Sequence, residues 1–155
     1  MGKHRRNRGQ KEEIAVKSAL HGARILQKPV IKTDVGFSID ALNGFPGAFG
    51  KYVFPQLGSN GILKLMQGEK NRCAFSTEVL AYATPQGIYK TFKTIKKLEI
   101  LTQPKGKGSA MDQIMQIAGE HDKNYGSMSL NEKLEWWKNR DNYFHDFAKW
   151  FSKQP

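Results

Sequence analysis

Residues 33–52 read TDVGFSIDALNGFPGAFGKY, and the predicted elements of the chain are arranged around this stretch. Its carboxylates are Asp34 and Asp40, and its four glycines allow tight turns and close backbone approach. The short apolar runs before and after Asp34 predict one strand from Val30 to Ile39. The stretch therefore predicts a strand that ends in a glycine- and proline-rich turn beside a carboxylate.

Helical periodicity precedes this stretch, and strand patterns follow it. Residues 11–27 predict an amphipathic helix, with Glu12 and Glu13 in its first turn and Pro29 just beyond its end. The later predicted elements are a short helix within 54–67, a buried strand over 74–83, a hairpin partner over 88–95 and a final helix over 130–152. This order predicts an α/β fold with a mixed β-sheet flanked by helices, in one domain over 11–155 preceded by a basic arm over 1–10.

Length and composition predict one packed domain in the cytoplasm. The chain has 155 residues, of which 39% are hydrophobic, and a chain of this length buries about 70% of the surface exposed on unfolding. Its single cysteine, Cys73, permits no internal disulfide and fits a reducing compartment. No apolar run approaches the roughly 18 residues needed to span a bilayer, and the N-terminus lacks the apolar core of a signal peptide. We therefore expect a cytoplasmic protein without a membrane partner.

The chain is strongly basic, with 25 Lys and Arg against 14 Asp and Glu and a net charge of +11. Such a charge favours a polyanionic partner, although a solvated basic surface explains it equally well. The basic residues concentrate in the arm and in a lysine-rich hairpin over 90–107, where lysines also suit an edge strand protected against aggregation. The residues predicted to bind RNA are Lys3, Arg5, Arg6, Arg8, Lys93, Lys96, Lys97, Lys105 and Lys107.

The central stretch resembles the central motif of the inosine triphosphate pyrophosphatase family, whose members hydrolyse non-standard purine nucleoside triphosphates. The run DALNGFPG at 40–47 matches the family without a gap, and Asp34, Gly36 and Tyr52 stand in matching places. The resemblance implies an α/β fold that is shortened here at its N-terminal side. It also implies attack of water on the α-phosphorus with release of pyrophosphate, assisted by carboxylates that hold Mg²⁺.

Residues 104–140 are similar to the last motif block of the same family, from PKG at 104–106 to MSLNEK at 128–133. In this block the resemblance implies nucleotide-binding roles for Asp112 and Lys133. In the central stretch it implies a catalytic role for Asp34, which would also be the metal ligand if the protein holds a metal.

Several chemical positions of the family are replaced in this chain. One carboxylate of the family's acidic pair becomes Thr33, and the aromatic ring that stacks on the base becomes Ser109. The Ser-His-Arg triplet that reads the purine becomes WKN at 137–139, and Arg140 lies one position late on a helix that turns about 100° per residue. The family's N-terminal phosphate lysine is missing whether residues 7–10 are a remnant of its motif or, as we favour, that motif is deleted.

Two interpretations follow, of which the replaced positions favour the first. The first is a non-catalytic descendant of the pyrophosphatases, a pseudoenzyme without a cofactor that binds RNA in a ribonucleoprotein particle such as the ribosome. The second is a divergent nucleoside triphosphate pyrophosphatase that hydrolyses ITP- or XTP-type nucleotides with Mg²⁺. A small partner-binding scaffold is a third, and because the family commonly dimerises, a homodimer is compatible with the sequence.

Overall fold

The computed structural model describes residues 3–120, 123–140 and 142–154, and for residues 3–10 it describes only the backbone. One sheet has the strand order β2-β1-β3-β4-β5. Its strands are β1 (Val30–Ile39), β2 (Pro46–Gly47), β3 (Cys73–Ala83), β4 (Tyr89–Ile100) and β5 (Met115–Ile117). The α-helices are α1 (Lys3–Leu26), α2 (Gly50–Leu65), α3 (Ala110–Ile114), α4 (Leu130–Lys138) and α5 (Tyr143–Phe151). The predicted α/β class is confirmed.

Contacts along the backbone separate the chain into two compact units. Unit one comprises Met1–Val35, Thr77–Ile95 and Asp141–Pro155, and unit two comprises Gly36–Ser76 and Lys96–Arg140. The single domain predicted over 11–155 stays a prediction. Within the described residues, no helix combines the length and the apolar character that a membrane crossing requires.

In unit one, α1 packs on β3 through a stripe of alanines. Ala15, Ala19 and Ala23 are four residues apart, so they share one helix face, and each is fully buried. They lie in one apolar cluster with Val79, Ala81 and Ala83 of β3. Small side chains on both elements allow the helix to approach the strand closely. The helix begins at Lys3 rather than at residue 11, so the basic arm predicted over 1–10 is mostly helical in its backbone.

A polar contact joins the same helix to β4. The hydroxyl of Thr91 donates a hydrogen bond to the Glu12 carboxylate at 2.6 Å, and the Lys93 ammonium lies 3.4 Å from the other carboxylate oxygen. The hydrogen bond from Thr91, and then the charge of Lys93, lower the pKa of Glu12 below its ordinary value. A carboxylate with a lowered pKa in the folded state stabilises the fold above its ordinary pKa. That contribution disappears as the pH falls through the lowered value.

We expect Thr91→Val to reduce the free energy of unfolding by about 0.5–1 kcal/mol near neutral pH, because Glu12 is partly exposed and its interactions are screened. The difference between wild type and variant should shrink as the pH falls through the lowered pKa of Glu12, because the carboxylate is then protonated in both proteins. Urea denaturation at several pH values measures it. A difference that stays constant down to about pH 3 would contradict a role for the ionised carboxylate.

A second apolar cluster of unit one gathers the aromatic residues of α5. Phe147 and Trp150 contact Tyr82 of β3 and Phe92 of β4, with ring centroids 5.3 to 6.2 Å apart. These contacts place the aromatic residues of α5 in the core of unit one. The single helix predicted over 130–152 is wrong, because α4 ends at Lys138 and α5 begins at Tyr143. The side chain of Asn142 caps α5 by accepting hydrogen bonds from two backbone amides of its first turn.

Unit two has its own core, and the helices α2 and α3 pack on each other within it. Ile62 of α2 and Ile114 of α3 are fully buried in one cluster with Ile39 and Trp136. The helical course of α2 is broken at Gly58, which has a φ of 62° that side chains rarely adopt. These contacts support the loops that carry the candidate functional residues of this unit.

Candidate active site

The central stretch forms the end of β1 and a tight return into β2. Residues Asp40–Leu42 make one turn of 3-10 helix, and Asn43 and Gly44 follow with φ of 54° and 88°. The chain then passes through a cis Phe45–Pro46 bond into β2, which pairs antiparallel with Phe37 and Ser38 of β1. This turn needs residues that tolerate positive φ, which explains the NG pair of the motif.

Asp40, the second carboxylate of the stretch, lies in unit two and interacts with the thiol of Cys73. Burial, and next the negative charge of Asp40, raise the pKa of the Cys73 thiol above its ordinary value. One carboxylate oxygen of Asp40, Oδ1, is buried within unit two and is therefore not open to substrate. This places Asp34 ahead of Asp40 as the catalytic candidate of the central stretch.

Asp34 lies on β1 in unit one and is held by a lysine of α1. The ammonium of Lys11 lies 3.2 and 3.1 Å from the two carboxylate oxygens of Asp34, and it also donates to the carbonyl of Val35 at 3.2 Å. Lys11 is only 6% exposed, whereas the Asp34 side chain keeps 24% of its surface accessible. The carboxylate is therefore paired on one side and open on another.

The sequence analysis missed Lys11, which it treated only as the start of a helix. One signal was present, because Lys11 lies four residues before Ala15 and continues the stripe of buried alanines on α1. A lysine on a buried helix face needs a partner, and the nearest acidic candidate in a strand was Asp34.

Asp112 and Lys133, predicted separately from the family motif, come together in unit two. The Lys133 ammonium lies 4.0 Å from Asp112 Oδ2. The same oxygen accepts a hydrogen bond from the backbone amide of Ser109 at 3.1 Å, and the Ser109 hydroxyl accepts one from the Asp112 amide at 3.2 Å. This reciprocal capping box orients the carboxylate at the start of α3. Lys133 keeps 28% of its side chain accessible, so its charge is positioned and also available.

A buried asparagine holds the loop behind this pair. Asn124 is 1% exposed, and its amide donates to the backbone carbonyls of Asp112 at 2.7 Å and Met115 at 2.9 Å. Its carbonyl oxygen accepts from the Ser127 hydroxyl at 3.1 Å. A buried amide with these bonds stabilises one loop geometry, because each lost bond would leave a buried polar group unpaired.

The residues predicted to bind RNA have different local environments in the described part of the chain. Lys93 pairs with Glu12, and the Lys96 ammonium lies 5.1 Å from the ring centre of Trp136. Lys97 lines a small cavity with Cys73. Lys105 and Lys107 lie in the loop before α3, where their backbone amides bond to Gln113 and Gly126. The side chains of Lys3, Arg5, Arg6 and Arg8 lie outside the described residues.

Arg140 was predicted to lie on a helix whose rotation turns its side chain away from the family's position. In the structure α4 ends at Lys138, so helix rotation does not determine the direction of the Arg140 side chain. Its guanidinium stacks over Trp136 at 4.6 Å and pairs with Glu120. Both Trp136 and Arg140 line an open groove of about 720 Å³ in unit two. The remaining lining residues are Lys123, Ser127, Met128, Glu132, Glu135 and Asn139.

A resident metal site does not fit the described residues. No group of three or more His, Cys, Asp or Glu side chains among them could hold an ion. Asp34, the predicted metal ligand, already forms a salt bridge with the ammonium of Lys11. Mg²⁺ can bind with only one or two protein carboxylates when the phosphates of a substrate supply its other ligands. In this protein, Mg²⁺ would therefore have to arrive bound to a nucleotide.

Comparisons with known proteins identify relatives over most of the chain. A model of the Ham1 family matches residues 3–150. A dITP/XTP pyrophosphatase of Methanopyrus kandleri is 39% identical over 141 residues, which cover 90% of this chain and 74% of that protein. A dITP/XTP pyrophosphatase of Thermococcus kodakarensis is 34% identical, covering 92% of this chain and 76% of its own length.

Solved structures show the same fold. The nucleoside-triphosphatase / dITP/XTP pyrophosphatase of Mycobacterium abscessus has a TM-score of 0.73 at 21% identity, over 83% of this chain and 69% of that one. The Ham1 protein of Staphylococcus aureus has a TM-score of 0.69 at 27% identity, over 79% and 66%. The resemblance to the pyrophosphatase family is thereby confirmed.

These relatives overturn the interpretation that the sequence analysis favoured. The non-catalytic, RNA-binding component of a ribonucleoprotein particle is wrong, because curated relatives that match about 90% of the chain are named dITP/XTP pyrophosphatases. Replaced motif positions and net charge are therefore weaker indicators of function in this chain than identity over most of its length. The homodimer and the cytoplasmic location stay predictions.

Proposed function

Because this chain belongs to the Ham1 family, we propose that it is a nucleoside triphosphate pyrophosphatase acting on dITP, XTP and related purine nucleotides. The observation that carries the proposal is the 39% identity to a dITP/XTP pyrophosphatase over 90% of the chain. Asp34, Asp112 and Lys133 support it, since they occupy motif positions of the family and each has an oriented side chain.

In the proposed reaction, a water oxygen forms a bond to the α-phosphorus of the nucleotide. The bond from this phosphorus to the oxygen that bridges to the β-phosphate breaks, and the products are a nucleoside monophosphate and pyrophosphate. The proton of the water passes to a base, a role that we assign to the accessible side of the Asp34 carboxylate. Mg²⁺ enters as part of the substrate, bound to its phosphate oxygens.

Lys133 is proposed to bind a phosphate oxygen. Asp112 and its capping box hold the ammonium on one side, while more than a quarter of the Lys133 side chain stays accessible. An ordered lysine loses less freedom on binding an anion than a mobile one does, so it contributes more to affinity.

The proposal is tested by following phosphorus products from dITP and XTP in the presence of Mg²⁺. We expect pyrophosphate and monophosphate in equal amounts, and much slower release from dATP and dGTP. The Asp34→Asn variant, purified in the same way, controls for contaminating enzymes. Orthophosphate as the first product, or no reaction with any of these nucleotides, would contradict the proposal.

Lys133→Met should lower kcat/KM for dITP by about 10- to 100-fold, the usual consequence of losing a charged hydrogen bond to substrate. Lys17→Met is the control, because Lys17 is also a helical lysine paired with a carboxylate, it is exposed, and it has no motif position of the family. Steady-state kinetics of both variants measure the effect. Equal losses in the two variants would show that general surface charge, rather than Lys133, attracts the nucleotide.

A further inference from the structure

The Lys11–Asp34 pair is unusual because its cation is almost completely buried. The ammonium contacts both carboxylate oxygens and one backbone carbonyl, so its three protons have three acceptors in unit one. A buried ammonium is retained only when its bonds are satisfied, and removal of one partner of such a pair is strongly destabilising. Lys11 is therefore fixed in its place.

The pair also changes the charge at this position. The family motif has two adjacent carboxylates here, whereas this chain has Thr33 and Asp34, and the ammonium of Lys11 contacts Asp34. A carboxylate pair attracts a divalent cation, but a carboxylate paired with an ammonium carries no net charge and offers fewer free oxygen lone pairs. The absence of a carboxylate at Thr33 and the ammonium at Asp34 thus act in the same direction.

We infer that Lys11 is a positioning residue whose ammonium takes the place of a protein-bound divalent cation at Asp34. It orients the carboxylate without a metal. The importance of Lys11 for catalysis rests on the proposed pyrophosphatase function. The effect of Lys11 on metal binding is independent of that function. In the protein without nucleotide, Asp34 consequently does not bind Mg²⁺, and the ion reaches this carboxylate only together with a nucleotide.

The inference is tested by measuring thermal unfolding with and without millimolar Mg²⁺, in the absence of nucleotide. Wild type should show no change in Tm. Lys11→Met, which keeps the length of the side chain and removes its charge, should unfold at a lower temperature and regain roughly 3 °C or more when Mg²⁺ reaches about ten times its Kd. Lys11→Met combined with Asp34→Asn should lose this response, and the exposed-lysine control Lys17→Met should behave as wild type.

A second measurement keeps the inference falsifiable if Lys11→Met does not fold. Mn²⁺ binding to the wild type and to Asp34→Asn can be followed by the relaxation of water protons. We expect equal and weak binding to both proteins. Binding that depends on Asp34 in the wild type, or a Lys11→Met variant that folds and ignores Mg²⁺, would overturn the inference. Because no nucleotide is present, a failed pyrophosphatase assay would leave these outcomes interpretable.

Discussion

Asp34→Asn is expected to reduce kcat/KM for dITP by about 100- to 10,000-fold, the range for loss of a general base. Asn has the shape of Asp, so the substitution keeps the packing of β1 and removes the capacity to accept a proton. The loss should appear mainly in kcat, because the proposed role of Asp34 concerns the attacking water rather than the affinity for nucleotide.

The same substitution has a second, smaller consequence for stability. The neighbouring ammonium of Lys11 would remain buried with an amide in place of a carboxylate. Since Asp34 is partly accessible, we expect a loss of about 1–2 kcal/mol rather than the larger value typical of a fully buried pair. Kinetics should therefore be measured well below the Tm of the variant, with circular dichroism as a check of folding.

Asp146→Asn is a suitable control for this experiment, since Asp146 is an exposed carboxylate in the first turn of α5. It should leave kcat/KM within a factor of about two, as is usual for a surface substitution. If Asp34→Asn retained most of its activity while folded, the assignment of the base would be wrong even if the chain hydrolyses dITP.

Strand β1 was predictable because its signals are local. Val30–Ile39 has apolar runs bounded by a proline and by a turn, and β1 has these bounds in the structure. The division between α4 and α5 was not apparent, because aromatic residues at helical spacing continue across it. The break depends on the Asn142 cap, and an asparagine in a polar run is a weak signal until the fold places its side chain.

The residues of the candidate site were predictable only where they occupy positions of the family motif. Asp112 and Lys133 were identified one by one, and the structure brings them to 4.0 Å from each other. Lys11 and Asp34 are 23 residues apart in sequence and meet only because α1 packs along the strands of unit one. Such a pair depends on tertiary structure, so neither charge patterns nor periodicity alone could assign it.

Gly106→Ala is expected to lower the free energy of unfolding by about 3 kcal/mol or more, because the new Cβ has no space. An ideal Cβ at Gly106 would lie 2.0 Å from the carbonyl oxygen of Gly126, and its φ of 76° is already unfavourable for a side chain. The neighbouring Lys107 amide donates to that same carbonyl at 2.7 Å. The loop therefore cannot move away without losing this bond.

Gly68→Ala separates the clash from the backbone strain. Gly68 has a φ of 81°, and an added Cβ would have nothing within 4 Å. The Gly68→Ala variant should therefore lose only about 1–2 kcal/mol of its free energy of unfolding. Chemical denaturation of both variants measures the difference, which corresponds to a Tm lower by about 2–4 °C for each kcal/mol. Because the same loop leads to Ser109 and Asp112, Gly106→Ala should also weaken dITP hydrolysis while Gly68→Ala does not. Equal losses of stability in the two variants would show that the Gly106 loop relaxes, and that close packing against Gly126 does not fix the position of Asp112.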